Sequence, residues 1–273
     1  PAGVADESYS SSIDFGDGNG PQPATINGMS ASASASYDSA GVYQATVTVV
    51  DKDSGSTTLM ASAFIVIYDP DAGFVTGGGW IDSPPGAYVA DTTLAGKANF
   101  GFNSKYKKGK SVPDGNTNFD FNVADLAFKS TAYEWLVIAG PQAKYKGTGT
   151  INDAGNFGFM LSATDGAING GGDDDKFRIK IWDKDNNDTI VYDNEIGTDE
   201  NDDPTTVLGG GSIKIHNNKA KKTSSGVERL AGGVPTNFGL QQNFPNPFNP
   251  STQIRFDLPK KSEVKLVIYS VLG

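Results

Sequence analysis

Hydrophobic residues in this chain alternate with polar ones far more often than they recur at helical spacing. Gln44 to Asp51 sets Ala45, Val47 and Val49 against Thr46, Thr48 and Val50, the pattern of a half-buried antiparallel strand. Ala61 to Tyr68 reads as a further strand that stops at Asp69-Pro70. Strand-like runs then fall at Gly96–Phe102, Asn118–Val123, Leu126–Lys129, Tyr133–Ile138, Ala143–Ile151, Asn156–Ala163, Asp175–Trp182, Thr189–Tyr192 and Gly211–His216. Turn signals separate them at the spacing of a sandwich or barrel. Phe100 with Phe102, and Phe119 with Phe121, stand two apart and so share one face of their strands. Near the end, Gln253 to Leu258 alternates again, and Glu263 to Val271 does so less strictly. Long Ala/Leu/Glu/Lys helical periods are scarce. The pattern predicts an all-β chain.

The same punctuation divides it. Residues 1–70 form one β unit, 73–217 a second and larger β-sandwich, 218–235 a solvated linker carrying Lys219, Lys221 and Lys222, and 236–273 a short C-terminal β segment. Each larger segment is long enough to bury its own core.

Composition narrows the function classes. The 34 glycines, with abundant Thr, Ser, Asn and Asp, are turn chemistry. Without cysteine, neither a disulfide nor a thiolate metal site is available. A net charge of -10 argues against a nucleic-acid surface, which needs clustered Lys and Arg. No apolar run reaches the length of a transmembrane helix. The chain starts at Pro1 without a signal peptide, as expected of a mature form or a fragment.

Three motif sets carry resemblances. The first is Asn243-Phe244-Pro245-Asn246-Pro247-Phe248-Asn249-Pro250-Ser251-Thr252 followed by Gln253-Ile254-Arg255-Phe256-Asp257-Leu258-Pro259. Its closely spaced prolines exclude helix and make a rigid, extended lead-in to a strand. These residues closely resemble the C-terminal sorting domain of the type IX (Por) secretion system. The resemblance implies passage through the outer membrane of a Bacteroidetes–Chlorobi bacterium. The sorting signal would be Asn243, Pro245, Asn246, Pro247, Phe248, Asn249 and Pro250, and the type IX machinery would be the partner. The usual pattern continues past Leu272-Gly273, so the tail is expected to be truncated. The second set, Ile13-Asp14-Phe15-Gly16-Asp17-Gly18 with Tyr37 to Asp51, resembles a polycystic-kidney-disease (PKD) type domain and implies an immunoglobulin-like sandwich. Ile13 replaces the family's usual Trp, and the first strands of the standard domain have no counterpart. The third set, Phe74-Val75-Thr76-Gly77-Gly78-Gly79-Trp80-Ile81 with Lys180-Ile181-Trp182-Asp183-Lys184-Asp185, resembles an accessory β-module of bacterial cell-surface proteins.

Candidate chemistry is sparse. His216, the only histidine, has no serine in a nucleophile-elbow context to serve, so it reads as a surface residue. Glu134, beside Trp135 in an apolar run, is the one acid that reads as partly buried. No catalytic residues are assigned. For metal, Asp183, Asp185, Asn187 and Asp188 offer hard oxygens from one turn, which suit calcium, although the spacing is not that of an EF-hand. Asp173–Asp175 and Asp199–Asp203 are further acidic clusters. Calcium ligation and a set of solvated acidic turns are both open readings of these loops. Asp14, Asp17, Asp51 and Asp53 read as turn residues bonded to nearby amides. For an extracellular polysaccharide or other surface ligand, Trp80, Trp182, Tyr88, Tyr106 and Tyr145 are the available aromatics, against a core-packing role for each. Trp80 is expected on a loop, and Tyr106 with Lys105, Lys107, Lys108 and Lys110 at a basic hairpin tip. Together these expectations describe a secreted or surface-attached, non-catalytic spacer, adhesion or ligand-binding protein. The alternative is the carbohydrate-binding accessory portion of an extracellular hydrolase whose catalytic domain lies outside this chain.

Overall fold

The computed structural model describes residues 9–28, 30–217, 239–240 and 256–257. Among them the protein is all-β and sandwich-like, with a single 3-10 turn, Asn122–Ala124, as its helical content. No described helix is long and apolar enough to cross a membrane. The chain divides into two compact units.

The first unit holds β1 (Tyr9–Asp14), β2 (Gln22–Asn27), β3 (Ser30–Ser32), β4 (Gly41–Asp51) and β5 (Ser56–Ile67) in one sheet of order β3-β2-β1-β4-β5. Its aspartates act as turn residues. Asp14 Oδ1 accepts the Gly16 N–H at 2.8 Å, Asp17 Oδ1 accepts that of Asn19 at 3.0 Å, and Asp51 Oδ1 accepts those of Asp53 and Gly55. The Tyr37 hydroxyl donates to Phe15 O, and its ring packs on Tyr43 with centroids 4.4 Å apart. Strand residues here are mostly half-exposed, and Ser11 is the one residue classed as buried among those described.

The second unit is one antiparallel sheet of nine strands. They are β6 (Gly73–Ser83), β7 (Gly96–Tyr106), β8 (Pro113–Phe121), β9 (Leu126–Ala139), β10 (Gln142–Ile151), β11 (Ala154–Thr164), β12 (Lys176–Asp183), β13 (Thr189–Asp193) and β14 (Gly210–Asn217). From β6 to β13 the sheet is a meander, and β14 returns to the far side of β6. The sheet curls until its halves face each other. Phe100 on β7 stacks on Phe177 of β12 at 4.1 Å, although four strands separate them along the sheet. Phe119 of β8 meets Tyr192 of β13 at 4.6 Å. The layers of the sandwich are thus two halves of one hydrogen-bonded surface. Its interior is filled by the alternating aromatics, among them Phe119, Phe121, Phe128, Tyr145, Phe159 and Phe177, all fully buried. Aromatic burial of this kind dominates core energetics.

Both sheet margins are sealed, which blunts the tendency of open edges to pair with other chains. Residues 87–89, after β6, pair with β13 through Val89 N–H to Val191 O and Asp193 N–H to Ala87 O. Thr206 and Leu208, ahead of β14, pair with the start of β12. The outer N–H groups of β14 are capped by carboxylates from the β11–β12 connection. Asp175 accepts the Ile213 N–H at 2.7 Å, and Asp165 accepts that of Ile215 at 3.0 Å.

Leu126–Lys129 and Tyr133–Ile138, read from sequence as two strands, are one. Thr131 and Glu134 are extra residues opposite β10, and the pairing register shifts at Lys146/Gly147 and Thr148/Gly149. These bulges break the period-2 pattern without ending the strand. Gly147 and Gly149 make this possible, since a Cβ at either would run into the backbone oxygen of Ala132 or Lys129.

Farther along, β15 (Gly239–Leu240) pairs antiparallel with β16 (Phe256–Asp257).

Candidate functional site

The expected calcium loop is the β12–β13 connection. Asp183 ends β12, and its Oδ1 accepts the Asp185 N–H at 2.9 Å. Asp185 Oδ1 accepts the Asn156 side-chain amide at 3.0 Å. Asn187 and Asp188 both adopt positive φ, at 52° and 53°, in the turn itself. Thr189 closes it by donating N–H and Oγ1 to Asn186 O. Four oxygen-bearing side chains therefore lie along one turn, with two of their carboxylates engaged in shaping it. Among the described residues no three His, Cys, Asp or Glu side chains gather as a metal-holding group.

The other acidic clusters have architectural partners. Asp175 bridges Gly166 N–H and Ile213 N–H, closing the sheet at β14. Asp199–Asp203 belongs to a strap, residues 194–203, that runs over the outer face of β10–β12. There it meets cations projecting at alternate positions of the strands. Arg178 donates to Asp193 through Nε and Nη2 at 3.0 and 2.9 Å, and through Nη1 to Asp199 O at 2.6 Å. Arg178 and Asp193 are 4% and 2% exposed, so this is a fully buried bidentate pair. Lys180 pairs with Glu200. Lys144 has no carboxylate in direct contact. Its ammonium donates to Asn201 O at 2.8 Å and Asn201 Oδ1 at 3.3 Å, with Glu200 O and Asp202 O each at 3.5 Å.

Burial sets the electrostatics here. It lowers Lys144 from its ordinary value to about 8, helped by the Arg178 charge and opposed by Asp203, Asp202 and Asp199. Burial also lowers Lys180. At the strap's base Glu195 Oε1 accepts Thr205 N–H, Thr206 N–H and Thr206 Oγ1–H. Its Oε2 is buried with no hydrogen-bond partner.

The aromatics divide clearly. Tyr145 is fully buried, and its hydroxyl bonds Thr117 Oγ1, as does that of Tyr133. Desolvation holds the Tyr145 phenol well above its ordinary range. Trp80 lies within β6, not on a loop. Its indole packs on Gly209 and Gly210, with the Lys97 ammonium 4.6 Å over the ring. Trp182 lies against Gly158, with Lys146 Nζ 5.5 Å over its ring. Tyr88 packs against the core and bridges to Tyr192. Tyr106 stands at the base of the β7–β8 hairpin, whose connection carries Lys107, Lys108 and Lys110. It ends β7, stacks on Tyr68 at 5.1 Å, and its hydroxyl accepts Leu136 N–H and donates to Leu136 O. Nearby, Lys107 pairs with Asp114.

Glu134 is half-buried and pairs with Lys146 at 3.7 Å. His216 is exposed on β14, stacked on Phe74 at 4.2 Å. Asn243, Pro245, Asn246, Pro247, Phe248, Asn249 and Pro250 lie outside the described residues.

The sequence reading did not single out Lys144, Arg178 and Lys180, although Lys144/Lys146 and Lys176/Arg178/Lys180 alternate in register with the strands and so mark a charged outer face. Comparison with known proteins finds no matching sequence family, no similar curated protein and no similar solved structure.

Proposed function

We propose that this chain is part of a secreted or surface-attached bacterial protein, in which it serves as a non-catalytic spacer, adhesion or ligand-binding module. Its C-terminal segment is read as an address for the type IX secretion machinery. The single observation that carries this reading is the run Asn243 to Pro250 ahead of an alternating strand pattern. The all-β build supports it, as does the use of Asp165, Asp175, Asp193 and Glu195 to hold loops and edges.

The test replaces Pro245, Pro247 and Pro250 with alanine in the native gene of a host that carries the machinery. Surface display is read by protease shaving of intact cells. The reading expects the variant to accumulate in the periplasm while the parent reaches the exterior. Equal display of the two would refute it.

A further inference from the structure

From the contact between the Lys144 amine and the Asn201 side-chain amide, we propose that these two residues join in an intramolecular isopeptide bond that fastens the strap to β10. Three observations meet at this point. The amine and the amide oxygen are 3.3 Å apart, held in register by the shorter bond from Nζ to Asn201 O. The strap is itself fixed beside them. Arg178 grips Asp199 O, Asp199 Oδ1 accepts the Asn201 N–H at 2.7 Å, and Lys180 pairs with Glu200. The ammonium is also largely desolvated beside Arg178, which favours the neutral, nucleophilic amine.

The step balances without any added reactant. The Lys144 ammonium gives up a proton, and its nitrogen lone pair attacks Asn201 Cγ, one bond behind Oδ1. The broad torsion about the Asn201 Cβ–Cγ bond lets the amide present its carbon to the amine. The tetrahedral adduct collapses by breaking the Cγ–Nδ2 bond. The lysine nitrogen of the adduct gives up a second proton, and both protons pass to the departing nitrogen, which leaves as ammonium. The product is a neutral amide where a buried charge stood, so the desolvation that activates the amine also favours the bond. In a chain without cysteine, it would be a covalent tie between segments 57 residues apart.

Intact-mass spectrometry of the purified full chain, incubated in mildly alkaline buffer, decides the matter. The expected mass is lower than the sequence mass by one ammonia, and digestion yields a branched peptide joining the segments of Lys144 and Asn201. Lys144→Arg stays at full mass. Asn201→Asp, which keeps the electrophilic carbon, loses water in place of ammonia if it couples, and so separates failed chemistry from failed folding. A folded parent protein at full mass would overturn the proposal. So would an ammonia loss that maps to any other residue.

Discussion

Removing the Asp193 carboxylate should be among the most damaging single changes in this protein. Asp193→Ala leaves the Arg178 guanidinium, only 4% exposed, without its one carboxylate partner among the described residues. Two charge-assisted hydrogen bonds to Arg178 are lost, at 3.0 and 2.9 Å, each contributing roughly 1.5–3 kcal/mol, together with the bond that Asp193 Oδ1 accepts from the Glu195 N–H at 3.0 Å. A buried charge stripped of its partner typically destabilises by about 3–5 kcal/mol in total, which sets the expected loss. Two main-chain carbonyls, Asp199 O and Thr198 O, remain as acceptors for the guanidinium and place the value near the lower end of that range. Equilibrium urea unfolding, followed by tryptophan fluorescence, measures it directly. The companion variant Arg178→Met with Asp193→Ala removes both charges and should recover a large part of the loss, giving a coupling energy of at least about 1 kcal/mol. A single variant costing under about 1 kcal/mol, or a double variant equal to the sum of its singles, would refute this account of the strap's anchor.

Other outcomes follow from the same geometry. Burial raises the phenols of Tyr133, Tyr145 and Tyr192 above 10.0, so the unfolded chain releases those protons first. These three groups add no pH dependence below pH 10 and take stability away above it, by up to about 1.4 kcal/mol per pH unit each, with their own share of the tyrosinate absorbance appearing together with unfolding. A Cβ at residue 147 meets the Ala132 oxygen and the Phe159 ring, so Gly147→Ala should destabilise by roughly 1–3 kcal/mol in the same urea assay. At the β12–β13 connection the existing hydrogen bonds predict a melting midpoint indifferent to a chelator. A midpoint that rises with millimolar calcium would instead show an ion bound by the folded state, and loss of that rise in Asp183→Asn with Asp185→Asn would place it on this turn.

Much of the strand order was legible because the chain writes it locally. Ala143–Ile151 alternates cleanly and became Gln142–Ile151, and Asn156–Ala163 became Ala154–Thr164. β9 was harder, since the extra residues Thr131 and Glu134 interrupt its alternation while its hydrogen bonding continues. Trp80 misled for a related reason. The glycines before it suggest a loop, but they allow close packing within β6, and the glycines that receive the indole lie far along the chain. Contacts of long sequence separation leave no local mark. Lys144 shows only as an outward-facing strand cation, and nothing near it announces that residues 200–202 will close over its amine. The acidic strap likewise reads as free, mutually repelling charge until its cations are placed opposite.

The most direct test of where this protein works is quantitative fractionation of cells expressing the native gene with and without residues 236 to 273. The account predicts that the shortened protein is folded, is retained inside the outer membrane, and is depleted from the surface and the medium. Undiminished delivery of the shortened protein to the exterior would contradict it.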